Sequence, residues 1–568
     1  MRVKLHLKIF FGHTSMANLH TKTGRETDML DGYNHSMPKP NRIVIIVLAI
    51  LSVLVFCLFC VPNSKGSENM GMVTMFEPDE ARIYLVIDEM TTPKASLKAT
   101  VGYFFAYNFY SYGFPFFAPS ALVFLGLKLL GVGGSMPAVM LWLRQIISVL
   151  PMLIAAWILV YMQDGFRTWR SVLLFCFLVT LPALVQNGFW WHPDGLVVLA
   201  AVLVLFCLWK DQRRFGKHFF LAAFFCGILI ALKLIGFFFF LAIGMTLVWG
   251  LVEKKLSWKR FFTLAVLFIA VMAVSVVIGN PYLVFPSERA DAWYFIQREM
   301  TETSQGYGVT YPVGLRAAWP TMQAFFGQAV FLLVTLGVTA WGIWKKEERF
   351  LYALTLAWFI PLSVYLMFFS HFKYQYWLPV ALPMLSNLIL LVPEKKTDWP
   401  RNRLLLAGNV LLLVLIGAQM AAWVRTSAKN FTLRTNRAKD NPAIIFYNDA
   451  LETLEPVRGQ ANVYFDYRLY MPGKDGWRTE NSFDLLTYDF INSRNFDLLF
   501  LSQQRIRDYL NPEVTSQDAE GLEQSRVFYR DADTDQLQGS YLLLREDVGL
   551  LYIRDGFCQQ YYGPEICQ

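Results

Sequence analysis

The sequence predicts a polytopic α-helical membrane protein of about eleven transmembrane helices followed by a soluble α/β domain. Three observations lead there. Of 568 residues, 55% are hydrophobic and 16% aromatic, more than a soluble domain usually carries. Many apolar runs approach the roughly twenty residues that cross a bilayer. Basic residues recur at every second connection, as they do when Lys and Arg collect in cytoplasmic loops.

Taken in order, residues 1–42 are polar, with Arg25, Glu26 and Asp28 among them, and read as a retained cytoplasmic tail rather than a cleaved leader. A membrane domain, 43–424, opens with the apolar run 43–61. A first outer loop, 62–137, contains "GFPFFAPSALVFLGLKLLG" from Gly113 to Gly131. That stretch mimics a span, but counting it would invert every later basic loop, so it is placed along the outer interface as a juxtamembrane helix. Further spans are expected at 138–161, 171–189, 195–208, 219–232, 235–251, 262–278, 322–344, 350–369, 376–392 and 404–424, with a second outer loop at 280–320. The basic connections hold Arg167 and Arg170, then Lys210, Arg213, Arg214 and Lys217, then Lys254, Lys255, Lys259 and Arg260. Lys345, Lys346 and Arg349 follow, and then Lys395, Lys396, Arg401 and Arg403. One long kinked helix would also fit around Lys233. Two helices keep the Lys254 cluster cytoplasmic, with Lys233 at the turn of a hairpin reaching the outer surface. The net charge of +8 then reflects topology, and no interleaving of basic and aromatic residues points to nucleic acid.

The segment 425–568 reads as an extracytoplasmic α/β domain. "ANVYFDYRLY" has the β-branched and aromatic content of a strand, and "NFDLLFLS" is a short apolar run followed by the helical pattern "QQRIRDYL". No glycine-rich phosphate loop or nucleophile elbow accompanies them. Cys57, Cys60, Cys176, Cys207 and Cys226 lie in apolar runs, where cysteine behaves as a small hydrophobe. Cys558 and Cys567, in "CQQYYGPEIC", fall on the side where disulfides persist and are expected to pair.

Chemistry is expected on the outer face. "MFEPDEARIYLVIDEM", from Met75 to Met90, puts five carboxylates into sixteen residues. "WWHPDGL" brings His192 and Asp194 to the mouth between two spans, and "SHFKYQYWLP" brings His371, Lys373, Tyr374 and Tyr376 to the start of another. Each has a plain structural explanation. An aspartate near a helix start complements the dipole and caps free amides, outer loops carry solvated charge, and Trp and Tyr form interfacial belts. Acid, base and aromatic groups nevertheless recur at one depth in three separate loops, which marks an outer-leaflet polar site.

"FEPDEARIYLVIDEM" resembles the first-loop signature of the GT-C class of membrane glycosyltransferases, in particular family 39 and its neighbours, the protein O-mannosyltransferases and the lipid A aminoarabinose transferases. The likeness continues in "LRQIISVLPMLIAAWILVYM", "WHPDGLVVLAAVLVLFCLW", "FCGILIALKLIGFFFFLAIG", "IGNPYLVF" and "FKYQYWLPVALPML", in the family's order, over about 43–392. "FDLLFLSQQRIRDYL" is similar to the soluble tails of bacterial members. The resemblance implies a GT-C-like fold and transfer of a sugar from a polyprenyl-phosphate donor to a lipid, envelope glycan or protein acceptor. That transfer would take place on the extracytoplasmic face of the inner (plasma) membrane, with the N-terminus cytoplasmic and the C-terminal domain periplasmic. Carried over by position, it implies Asp79 as acceptor base or orienter with Glu80 beside it, Asp194 as the second family aspartate, and Arg82, Lys373 and His371 toward the donor phosphate.

Departures accompany the likeness. Aminoarabinose transferases often carry Glu-Lys-Pro where this chain has Gly113 and Phe114, and Ile83 stands at a frequent tyrosine. "WYFIQREMTETSQGYGVTYP" lacks a histidine common in relatives. The resemblance itself fixes no cofactor. A divalent metal, if bound, would use Asp79, Glu80 or Asp194, because hard cations prefer oxygen. Two other classes fit the composition: a polyprenyl-lipid transporter or flippase, against which the placement of most charge at span ends argues, and a non-catalytic scaffold binding lipid-linked glycans.

Overall fold

In a computed structural model the described residues are 39–568 except 302–304, 307, 345–348, 395–401, 484, 564 and 568. The expected N-terminal tail before residue 39 and the basic positions Lys345, Lys346, Lys395, Lys396 and Arg401 lie outside them.

Among the described residues six helices are long and apolar enough to cross a membrane: Arg42–Ser64, Met136–Asp164, Leu234–Val252, Trp258–Gly279, Arg349–Phe368 and Arg403–Thr435. The chain is a multi-pass membrane protein. A seventh is reached if Leu315–Phe326 and Ala329–Trp344 count as one span. The expected span 322–344 is instead bent by 80° at Gly327, whose φ of +117° is open to glycine and strained for side-chain-bearing residues. The expected span 171–189 is likewise divided: Arg170–Val179 ends before Pro182, and a short helix, Pro182–Asn187, follows. Proline lacks the N–H that would continue the ladder. Several other expected spans are shorter helices, among them Lys217–Leu232 and Tyr374–Ser386.

Lys233 is extended, at φ −154° and ψ 146°, between Lys217–Leu232 and Leu234–Val252. The chain turns back there, since Cys226 Sγ donates to the Gly236 carbonyl and a Cβ on Gly250 would meet the Phe215 ring. The pair is a hairpin with Lys233 at its tip.

The basic connections gather at one end of the bundle. Asn41 N–H donates to the Phe166 carbonyl, and Arg170 reaches the Ile389 carbonyl at 2.9 Å. Arg213 and Lys255 both pair with Glu253, and Arg213 lies over Phe350. The opposite end collects 62–137, 188–194, Lys233, Asn280 and the end of Arg403–Thr435, where the soluble part begins.

That part carries a five-stranded mixed sheet in the order Trp477–Glu480, Ala461–Phe465, Leu498–Ser502, Gly549–Arg554, Ser540–Arg545. The first three strands are parallel and the last two pair antiparallel. Ser502 ends its strand and caps the helix Gln503–Leu510. A disulfide joins Cys558 to Cys567. The sheet domain rests on the first loop: Asn69 donates to Tyr470 Oη at 2.8 Å, and Met75 is buried in the same apolar cluster as Phe446 and Phe500.

Candidate active site

The helix Pro78–Thr91 starts where its sequence requires. Pro78 occupies the first turn, where no N–H is needed, and Asp79 and Glu80 complement the positive end of the dipole. Consecutive residues on a helix point about 100° apart, so the neighbouring carboxylates meet different surroundings.

Glu80 turns into the bundle. It and Arg144 are both 0% exposed; Arg144 Nε donates to Oε1 at 3.0 Å and Nη2 to Oε2 at 2.5 Å. The Trp191 N–H also donates to Oε1, and Arg144 Nη1 reaches the Asn63 carbonyl at 2.6 Å. Arg144 begins a π-helical stretch, Arg144–Val149, a distortion frequent near functional sites. Glu80 is therefore the pin joining four segments, with both oxygens occupied. Glu77 makes ion pairs with Arg434 and Arg437. Burial would push its carboxyl up, but Arg434, Arg437 and Arg144 together outweigh burial and hold it below the usual glutamate range. Asp88 pairs with Lys128 at 2.8 Å and Glu89 accepts from Tyr103 at 2.9 Å. Asp79 alone of the five is exposed without a hydrogen bond or ion pair among the described residues. It lies within electrostatic reach of His192 and Lys233.

Asp194 heads Asp194–Asp211 but makes no side-chain cap. Its oxygens serve the site instead: Oδ2 lies 2.5 Å from His192 Nδ1, and Oδ1 accepts from Lys233 Nζ at 2.6 Å. His192 Nε2 is 2.7 Å from Tyr112 Oη, and the imidazole stacks on Trp190 at 4.2 Å and 6°. Burial lowers the affinity of His192 for a proton, Asp194 opposes and Lys233 adds to the lowering, so the ring sits below the ordinary histidine range and is neutral at pH 7.

The expected phosphate-binding residues divide. Lys373 is exposed, its ammonium 5.6 Å from the Tyr376 ring centroid, and Lys233 lies 4.6 Å from the same centroid. Lys373 thus joins the mouth. Arg82 is exposed one turn beyond Asp79 and lies over Phe109 at 5.7 Å, and Phe109 packs on Tyr112. His371 stacks on Tyr311 at 4.6 Å, and no contact with Asp79 or Asp194 is found among the described residues.

The donor set does not suit a metal shared by Asp79, Glu80 and Asp194. Arg144 and Lys233 already supply the positive charge, and a cation there would face them directly. No group of three or more His, Cys, Asp or Glu side chains arranged for a metal occurs among the described residues. At the position of the relatives' glutamate, a Cβ on Gly113 would lie 1.7 Å from the Ala231 carbonyl oxygen, so close backbone approach leaves no room for a side chain there.

Sequence reasoning passed over Arg144, Arg434, Arg437 and Tyr112, and it gave Lys233 only a turn. A charge inside an apolar run is a signal in itself, and "LRQIISV" carries one.

Neither known protein families nor curated proteins match the chain in sequence. Solved structures do match in fold. ArnT from Cupriavidus metallidurans in the apo state aligns over 89% of this chain and 97% of its own, at 12% identity and a TM-score of 0.51. The Archaeoglobus fulgidus oligosaccharyltransferase in the apo form aligns over 91% of this chain and 77% of its own, at 11% identity and a TM-score of 0.51. At these identities the likeness establishes the fold, and it is the fold of the GT-C membrane glycosyltransferases that the sequence motifs resemble.

Proposed function

We propose that the protein is a membrane glycosyltransferase that moves a sugar from a polyprenyl-phosphate donor to an acceptor on the extracytoplasmic face. The observation that carries this reading is the state of Asp79. It is the one exposed, unpaired carboxylate of the acidic stretch, set beside the His192–Asp194–Lys233 cluster with Lys373 and Arg82 exposed nearby.

In such a transfer the acceptor oxygen attacks the anomeric carbon while the polyprenyl phosphate departs. Asp79 orients or deprotonates the acceptor. Lys373 and Arg82 offer fixed positive charge to the departing phosphate, as preorganised cations do at sites of developing negative charge. Asp194 holds Lys233 and His192 in place, and Glu80 acts through Arg144 as a positioning residue. His371, beside Tyr311, is assigned to the rim, where the lipid phosphate would enter. The acceptor is a lipid, an envelope glycan or a protein, and the domain after residue 425 faces the same compartment as the mouth.

The test is release of free polyprenyl phosphate from a panel of polyprenyl-phosphate sugars by the purified full-length protein, with and without chelator. Release by the wild type, its loss in Asp79→Asn and indifference to chelator are expected. A wild type that consumes no donor with any acceptor offered would sink the transferase reading and favour lipid binding or transport.

A further inference from the structure

Tyr112, His192 and Asp194 are joined in that order by hydrogen bonds of 2.7 and 2.5 Å. Lys233 occupies the other oxygen of Asp194 and supplies the counter-charge of a carboxylate, so the shared proton belongs on His192 Nδ1. Nε2 is then a lone-pair acceptor and the Tyr112 hydroxyl donates to it. The imidazole is held flat by Trp190 and meets the Tyr112 ring edge-on at 4.8 Å. Ser148 Oγ donates to the Trp190 carbonyl at 2.7 Å, which fixes the loop. Hydroxyl, imidazole and carboxylate stand in the order in which a base activates a hydroxyl and a third group orients the base. His192 and Asp194 are 3% and 1% exposed, whereas Tyr112 is half-buried and forms the outer end of the chain.

We infer that this chain is the proton path of the transfer: the acceptor hydroxyl, oriented by Asp79, passes its proton to the Tyr112 oxygen as Tyr112 passes its own to His192 Nε2. The inference rests on the transferase reading above. The bond from the acceptor oxygen to the anomeric carbon forms. The bond from that carbon to the phosphate oxygen breaks, and its electron pair stays on the polyprenyl phosphate. One proton leaves the acceptor and one arrives on His192, whose imidazolium faces Asp194; it passes to water once the products leave. Tyr112 is the catalytic residue of the path, and Asp194 positions His192. The charged groups around His192 are Asp194, Lys233 and Asp79.

The experiment uses the full-length protein, the donor consumed in the panel, and undecaprenyl phosphate as a separate binding probe. Tyr112→Phe keeps the ring and removes only Oη. Its kcat is expected to fall about 100-fold with both KM values unchanged, and undecaprenyl phosphate binding, read by tryptophan fluorescence, is expected to stay at the wild-type level. The wild-type kcat should fall as pH drops through the titration of His192, and that limb should be missing in His192→Gln. Should His192→Gln fail to fold, Tyr112→Phe decides alone. A wild-type kcat in Tyr112→Phe overturns the path while leaving the transferase standing. Loss of undecaprenyl phosphate binding overturns it too, by making Tyr112 a ligand of the lipid. A wild type that consumes no donor removes both readings together.

Discussion

Two buried carboxylates in this protein are each paired with a cation and have different consequences. Asp466, in the sheet domain, accepts from Tyr464 Oη at 2.9 Å, Tyr529 Oη at 3.1 Å and the Ser502 N–H at 2.8 Å, and pairs with Arg505 at 3.2 Å. These contacts tie the ends of two parallel strands to the helices Gln503–Leu510 and Ala519–Asp533. Asp194 also has a cation and, through His192, a tyrosine. Its network runs out to a half-buried hydroxyl, with the exposed Asp79 carboxylate within electrostatic reach of His192, whereas Tyr464, Tyr529, Ser502 and Arg505 around Asp466 are all buried. Burial and pairing are common to both; a half-buried end and the exposed, unpaired Asp79 nearby distinguish the Asp194 site.

The largest expected effect tests this contrast directly. Asp79→Asn should lower transfer by about 1,000-fold, as when a group that orients the acceptor is lost, while the thermal unfolding midpoint stays put, because no ion pair is lost. Asp466→Asn should do the reverse, destabilising by about 3–5 kcal/mol, as when one partner of a buried pair is removed, with the rate per folded molecule unchanged. Equal loss of activity in both variants would erase the distinction.

A third substitution sharpens the comparison within the acidic stretch. Glu80→Gln leaves Arg144 buried without its counter-charge, and a loss of about 3–5 kcal/mol is expected, read as a lower unfolding midpoint in detergent. Activity per folded molecule should fall far less than in Asp79→Asn. A Glu80→Gln protein of wild-type stability and no activity would move the handling of the acceptor from Asp79 to Glu80.

This pair also shows where sequence reading stops. The order of the motifs carried the fold, and the solved structures bear that resemblance out at identities of 11–12%. The Lys233 hairpin was legible because charge alternation constrained it. Which of five carboxylates is free was not legible. The partners of Glu80 and Glu77 lie far off in the chain, Arg144 on another helix and Arg434 at the end of the last span, and chain distance says nothing about pairing. Asp79 and Glu80 look equivalent in a row of letters, and only the helix turn sends one to solvent and the other to Arg144. Asp194 had a sufficient local explanation in the helix dipole, yet its oxygens are taken by His192 and Lys233, residues brought to it by the fold. The broken spans escaped because apolar content does not report a bend at Gly327 or a stop before Pro182.

The smallest expected effect concerns Glu77, which clasps the end of the last long helix to the first loop. Arg434 and Arg437 are largely buried beside it, and Arg437 also donates to the Lys65 carbonyl. Because its carboxyl is held below the usual range, the clasp contributes fully above the ordinary glutamate value of about 4.3 and weakens as pH falls below that value toward the depressed one. Charge-assisted hydrogen bonds of this kind are worth about 1.5–3 kcal/mol. Limited proteolysis between the helices Arg403–Thr435 and Pro442–Thr453 should therefore quicken when the wild type is moved from pH 7 to below pH 4. Glu77→Gln should be cut faster at pH 7 and show no such step. A step of the same size in both proteins would assign the acid sensitivity to other carboxylates and leave Glu77 a bystander between the bundle and the sheet domain.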